Sequence, residues 1–132
     1  MAARQRESTR HVPKPILLVE DEPEVRSLLR EILVSNGFDV IGAKDGTSAL
    51  HELWKRHGDI AVLVTDVDMG RMNGLELAES VRSQYPDLPV LFVSGLPMPP
   101  AELERVAPGS VLVTKPCKAA TLVSAVRKLS GL

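Results

Sequence analysis

Aromatic side chains are almost missing from this chain: two Phe, one Tyr and one Trp make up 3% of its 132 residues. A hydrophobic core must therefore be assembled from Leu, Val, Ile and Ala. Cysteine is scarcer still. The single Cys117 excludes an intrachain disulfide and a paired-thiol metal site, and it fits a reducing cytoplasm, the expected location. No apolar stretch approaches the length of a membrane span, and the N-terminus lacks the apolar centre of a signal peptide, so no membrane role is expected. Excess charge of one sign is absent as well, with a formal net charge of -1. That near-balance hides an asymmetry. Residues 1–14 hold Arg4, Arg6, Arg10 and Lys14 against Glu7, a net +3, and the rest of the chain is mildly acidic. An acidic body argues against a nucleic-acid partner, and a basic segment without apolar periodicity reads as a flexible tail over residues 1–13.

What the chain does contain is ordinary for one soluble domain, here residues 14–132: 44% hydrophobic and 25% charged residues. Short Ile/Leu/Val runs alternate with segments of helical spacing. Strands are predicted at 15–19, 38–41, 60–66, 89–94 and 111–114. Helices are predicted at 23–36, 47–57, 75–85, 101–106 and 119–129. Pro23 opens the first helix and Gly37 stops it. Trp54 is expected in the core beside Leu50 and Leu53. Strict β-α alternation implies a doubly wound parallel sheet with helices on both faces.

The polar residues that close these strands are the chemical signal. The first strand runs into Glu20-Asp21, the third into Asp66, the fourth into Ser94 and the fifth into Lys115. Each has an ordinary explanation alone: acids favour a helix N-terminus, Asp66 and Asp68 suit turns, and Lys115 suits a solvated loop. Together they fall at the carboxyl ends of neighbouring parallel strands, where open α/β sheets bind ligands, and the side chains of Asp21, Asp66, Ser94 and Lys115 are expected to converge on one crevice. Two acidic strand ends and one basic one fit a divalent cation and a phosphoryl group. His11, His51 and His57 have no partners at metal-ligand spacing.

The ordered pieces Ile16-Leu17-Leu18-Val19-Glu20-Asp21-Glu22-Pro23, Val64-Thr65-Asp66-Val67-Asp68-Met69-Gly70-Arg71-Met72-Asn73-Gly74, Phe92-Val93-Ser94-Gly95 and Val113-Thr114-Lys115-Pro116 resemble the receiver domains of two-component response regulators, the CheY-like superfamily. The resemblance spans nearly everything after the tail. It implies a flavodoxin-like five-stranded parallel sheet in the order 2-1-3-4-5 and a cis Lys115-Pro116 bond. It implies that Asp66 accepts the phosphoryl group and that Mg²⁺ is held by Asp21, Asp66 and the backbone carbonyl of Asp68, with Glu20 acting through water. Ser94 would hydrogen-bond a phosphoryl oxygen, and Lys115 would pair with Asp66 and the phosphoryl group. The implied partners are a sensor histidine kinase or phosphotransfer protein and a downstream protein target that the sequence does not name. Such a chain is a phosphoacceptor rather than a turnover enzyme, and its slow dephosphorylation is expected to respond to Asp68. With only Gly131 and Leu132 after the last helix, no output domain is expected; the chain is either a stand-alone receiver or one excised from a longer protein.

The donor set suits the chemistry on its own terms. Mg²⁺ takes oxygen ligands and keeps several waters, and phosphoryl transfer needs positioning and charge neutralisation above all. Three departures from the family pattern bear on output. Gly70 stands where Pro is usual, Leu112 replaces the aromatic residue three positions before Lys115, and Cys117 replaces an aromatic after Lys115-Pro116 and is expected to be a small apolar filler. Two alternatives follow. One is a pseudo-receiver that works as an interaction module; the other is a haloacid-dehalogenase-type phosphatase, suggested by Asp66-Val67-Asp68.

Overall fold

Five short runs rich in Val and Leu form strands: β1 (Ile16–Val19), β2 (Val40–Ala43), β3 (Val62–Asp66), β4 (Val90–Ser94) and β5 (Val111–Thr114). They pair in parallel, in the order β2-β1-β3-β4-β5, as the sequence predicts. The computed structural model describes residues 14–70 and 72–131, so the tail expected at 1–13 lies outside the described residues. Helices α1 (Pro23–Ser35), α2 (Gly46–Lys55), α3 (Gly74–Gln84), α4 (Pro100–Val106) and α5 (Ala119–Ser130) connect and close the strands. None of the described helices is long and apolar enough to cross a membrane.

Alternation along the strands divides the core in two. Leu17, Val19, Leu63, Val90 and Phe92 pack with Ala49, Leu53, Leu77, Val81 and Leu103 of α2, α3 and α4. Ile16, Leu18, Val62, Val64, Leu91, Val93 and Val113 pack with Leu29, Leu33, Leu122 and Val126 of α1 and α5. Both sheet faces are covered, which is why the strands read as continuous apolar runs. Cys117 packs against the α1/α5 cluster, in keeping with its expected role as a filler.

Two expectations need correction. The second strand occupies 40–43, two residues later than the predicted 38–41. Phe38 belongs instead to the end of α1: its amide donates to the Leu33 carbonyl at 3.1 Å, and its ring is buried beneath the Arg127 guanidinium. Gly42, a poor strand former, is tolerated because the stem of Arg26 lies against it; a Cβ there would sit 3.5 Å from Arg26 Cδ. Trp54 is the second correction. It is 53% exposed, because Ala49 and Leu53 already fill the buried stripe of α2. Its indole N–H donates instead to Gln84 Oε1 of α3 at 2.8 Å.

Candidate functional site

The strand ends meet as the apolar core runs out. At the end of β1 the Glu20 amide donates to the Ala43 carbonyl at 3.1 Å, which extends the pairing with β2 by one bond. The Glu20 side chain is 1% exposed. Its Oε1 accepts from Lys115 Nζ at 3.0 Å and its Oε2 accepts from the Glu22 amide at 3.2 Å. Burial pushes the Glu20 carboxyl above its ordinary range, although the bonds from Lys115 and Glu22 pull the other way. At the end of β3, Asp66 is also buried. Its Oδ2 accepts from Lys115 Nζ at 3.1 Å and its Oδ1 accepts from the Asp68 amide at 3.2 Å. For Lys115, burial works against the ammonium, but the bonds to Glu20 and Asp66 outweigh it and hold its pKa above the usual lysine value. One ammonium therefore bridges two buried carboxylates that come from different strands.

Asp21 is exposed beside this bridge. Glu20, Asp21 and Asp66 each offer a carboxylate oxygen, and these atoms lie within 4.8 Å of one another. Three carboxylates against one ammonium leave a formal charge that a divalent cation would cancel, and an all-oxygen donor set suits Mg²⁺. A cleft of about 550 Å³ opens over the group, lined by Asp21, Asp66, Asp68, Leu96 and Lys115 among others. Asp68 is exposed at its edge. A hollow of similar size, about 580 Å³, lies at the opposite ends of the strands against Ile60, Tyr85 and Pro89 and contains none of the predicted site residues.

The Ser94 side chain, expected to converge with the others, instead stands apart from the ionic group, although its carbonyl accepts from the Lys115 amide at 2.7 Å. In strand alternation it is in step with Phe92, which packs with α2, α3 and α4. Glu20, Asp66 and Lys115 are in step with Leu18, Val64 and Val113 on the α1/α5 side. The Ser94 hydroxyl is turned into its own loop, donating to the Leu96 carbonyl at 2.9 Å and accepting from the Leu96 amide at 3.0 Å. Leu112 is partly buried against the α2–α4 cluster. The Lys115-Pro116 bond is cis, as the resemblance implies.

Two features escaped the sequence reading. The Glu20–Lys115 pair joins residues 95 positions apart, and no local pattern announces it. Gly74, the first residue of α3, is the other: a Cβ there would overlap the Asp66 carbonyl oxygen, and its amide donates to the Val67 carbonyl at 2.8 Å. A clue was available, since glycine is an unusual choice directly after the Asn73 cap, whose side chain and Glu76 form a reciprocal capping box.

With this geometry in place, comparison with known proteins gives a clear answer. The family model of the response regulator receiver domain matches residues 16–127, and the chain belongs to that family. Among curated relatives, the sensor protein EvgS of Escherichia coli K12 is 43% identical over 75 residues, which are 57% of this chain and 6% of that protein. The response regulator MprA of Mycobacterium sp. strain KMS is 41% identical over 83 residues, 63% of this chain and 35% of its own length. The chain thus spans well under two thirds of these relatives. Among solved structures, the response regulator protein TrrA of Thermotoga maritima, in complex with Mg(2+)-BeF, superposes with a TM-score of 0.78 at 29% identity, covering 88% of this chain and 98% of that one.

Proposed function

We propose that the chain is a Mg²⁺-dependent phosphoacceptor that takes a phosphoryl group on Asp66 from a phosphohistidine of a sensor kinase or phosphotransfer protein. One observation carries the reading: Lys115 Nζ lies 3.1 Å from Asp66 Oδ2 in an open cleft where three carboxylate oxygens lie within 4.8 Å. Asp21, Asp66 and the backbone carbonyl of Asp68 would hold the cation, with Glu20 acting through water. When bound, Mg²⁺ would neutralise charge on the phosphoryl oxygens. The likeness to the sensor protein EvgS and to TrrA in its Mg(2+)-BeF complex supports the same reading.

The chain's own residues then have separable tasks. An Asp66 carboxylate oxygen forms the new P–O bond as the donor P–N bond breaks, and the electron pair leaves with the imidazole. Lys115 is held at the acceptor by two carboxylates and presents its ammonium to the incoming oxygens without a large rearrangement. Ser94 is free to exchange its bonds with the Leu96 backbone for one to a phosphoryl oxygen, which would move the loop after β4. The decisive experiment is labelling by a phosphorylated kinase or a small acyl phosphate. Asp66→Asn should abolish labelling while leaving the fold intact, and chelation of Mg²⁺ should abolish labelling of the wild type. Labelling that survives both would overturn the assignment of Asp66 and Mg²⁺, wild type that takes no label with Mg²⁺ present would favour the interaction module, and rapid turnover of a generic phosphate ester would favour the phosphatase.

A further inference from the structure

Arg26, in the first turn of α1, bonds through its guanidinium to the main chain: Nη1 donates to the Glu20 carbonyl at 2.7 Å. The length is that of a strong, charge-assisted bond. The side chain is half-buried and its stem passes over strand β2 at Gly42, where a Cβ would already touch Arg26 Cδ at 3.5 Å and a longer side chain would compete for the stem's place. The bond has a directional consequence. The Glu20 carbonyl belongs to the planar peptide unit that ends at the Asp21 amide and Cα. The other bonds to Glu20, at its amide and its two carboxylate oxygens, hold β1 and the buried side chain. Among the described residues, the contact from Arg26 is the one that acts on the plane leading to Asp21.

We infer that Arg26 is a positioning residue for the metal ligand Asp21, acting through the Glu20–Asp21 peptide plane with Gly42 as the seat for its stem. The inference rests on the phosphoacceptor reading above. Asp21 is exposed, so its backbone is the part of it that the fold can orient in advance of the cation. Outer groups that orient metal ligands commonly govern affinity by 10–100-fold when removed.

Positioning and simple electrostatics predict opposite signs. Deleting a cation beside a cation site should tighten Mg²⁺ binding, whereas loss of positioning should weaken it. The test is calorimetric Mg²⁺ titration together with thermal melting of the metal-free protein. Arg26→Ala should raise the dissociation constant about tenfold, and Arg26→Lys, which can still donate to the carbonyl, should recover most of that loss. Gly42→Leu should displace the stem while keeping the charge, and it should weaken binding similarly, which covers the case in which Arg26→Ala fails to fold. In an Asp21→Asn background Arg26→Ala should cost nothing further. An unchanged or lower dissociation constant in a folded Arg26→Ala protein, or a loss that persists in full without the Asp21 carboxylate, overturns the inference. Wild-type protein that melts cooperatively but binds no Mg²⁺ overturns the phosphoacceptor reading itself.

Discussion

The two sides of the sheet's carboxyl edge are built differently. On the α1/α5 side, Glu20, Asp66 and Lys115 are buried or half-buried and bonded to one another or to nearby backbone across three strands. On the α2–α4 side, the Ser94 carbonyl still accepts from the Lys115 amide at 2.7 Å, but its hydroxyl bonds only two residues ahead in its own loop, Leu96 is 60% exposed, and the helix that follows has seven residues, with Pro99 at its cap and Pro100 opening it. The first side is constrained by long-range contacts and suits a fixed charge arrangement. On the second, the Ser94 hydroxyl and the loop beyond it are held by local bonds, so little has to be broken for them to move. On the proposed reading, strand alternation would separate phosphoryl chemistry from the response to it, although Asp66 and Ser94 stand on adjacent strands.

The largest loss of stability should come from removing the ion that ties the constrained side together. Lys115→Ala leaves Glu20 and Asp66 buried without their shared partner. It should cost about 3 kcal/mol of stability and slow labelling on the order of 100-fold, while Mg²⁺ binding is largely retained. Adding Glu20→Gln should restore part of the stability but not the labelling, and denaturant unfolding with a phosphotransfer assay reads both. Gly74→Ala strikes the same side through the backbone. It should destabilise by about 2 kcal/mol and slow labelling more than its loss of stability explains, because the Asp66 carbonyl must shift; equal labelling by the folded variant would break the link between Gly74 and the acceptor.

A smaller effect concerns pH. The folded Glu20 carboxyl holds its proton to higher pH than the ordinary 4.5, so the stabilisation associated with that proton is complete below 4.5 and fades as pH rises through the folded value. Metal-free Glu20→Gln should therefore gain stability relative to wild type between acidic and neutral pH. A constant difference across that range would show that burial does not hold the proton. The mildest expected change lies on the looser side. Amide exchange with a beryllofluoride mimic should alter residues 94–100 and leave Leu112 nearly silent, since Leu112 has no polar tip to exchange between solvent and interior. Changes centred on Leu112 would reverse the assignment of the responsive element.

Much of this arrangement was legible in the sequence for a simple reason. A residue's position at the end of a buried strand is a local property, so Glu20, Asp21, Asp66, Ser94 and Lys115 could be placed at one edge from apolar runs alone. Alternation along the same runs also held the information that Ser94 is out of step with Asp66. The position of β2 was harder, because Phe38 has high strand propensity but is used to close α1, and Gly42 disguises a real strand. Trp54 misled because helical spacing does not say when a buried stripe is already full. The Glu20–Lys115 and Arg26–Glu20 bonds depend on side-chain reach between elements, for which sequence spacing carries no signal.

The exposed indole has a practical consequence. Trp54 is the chain's only tryptophan, so its emission comes from a single place. It sits at the last turns of α2 and α3 through its bond to Gln84. In a parallel α/β sheet those helix ends lie at the amino edge of the strands, away from Asp66. Its fluorescence should therefore serve as a clean reporter of global unfolding and of fraying at that seam. It should remain nearly dark to occupancy at the other edge, where an added fluorophore near Leu96 would be the better optical probe.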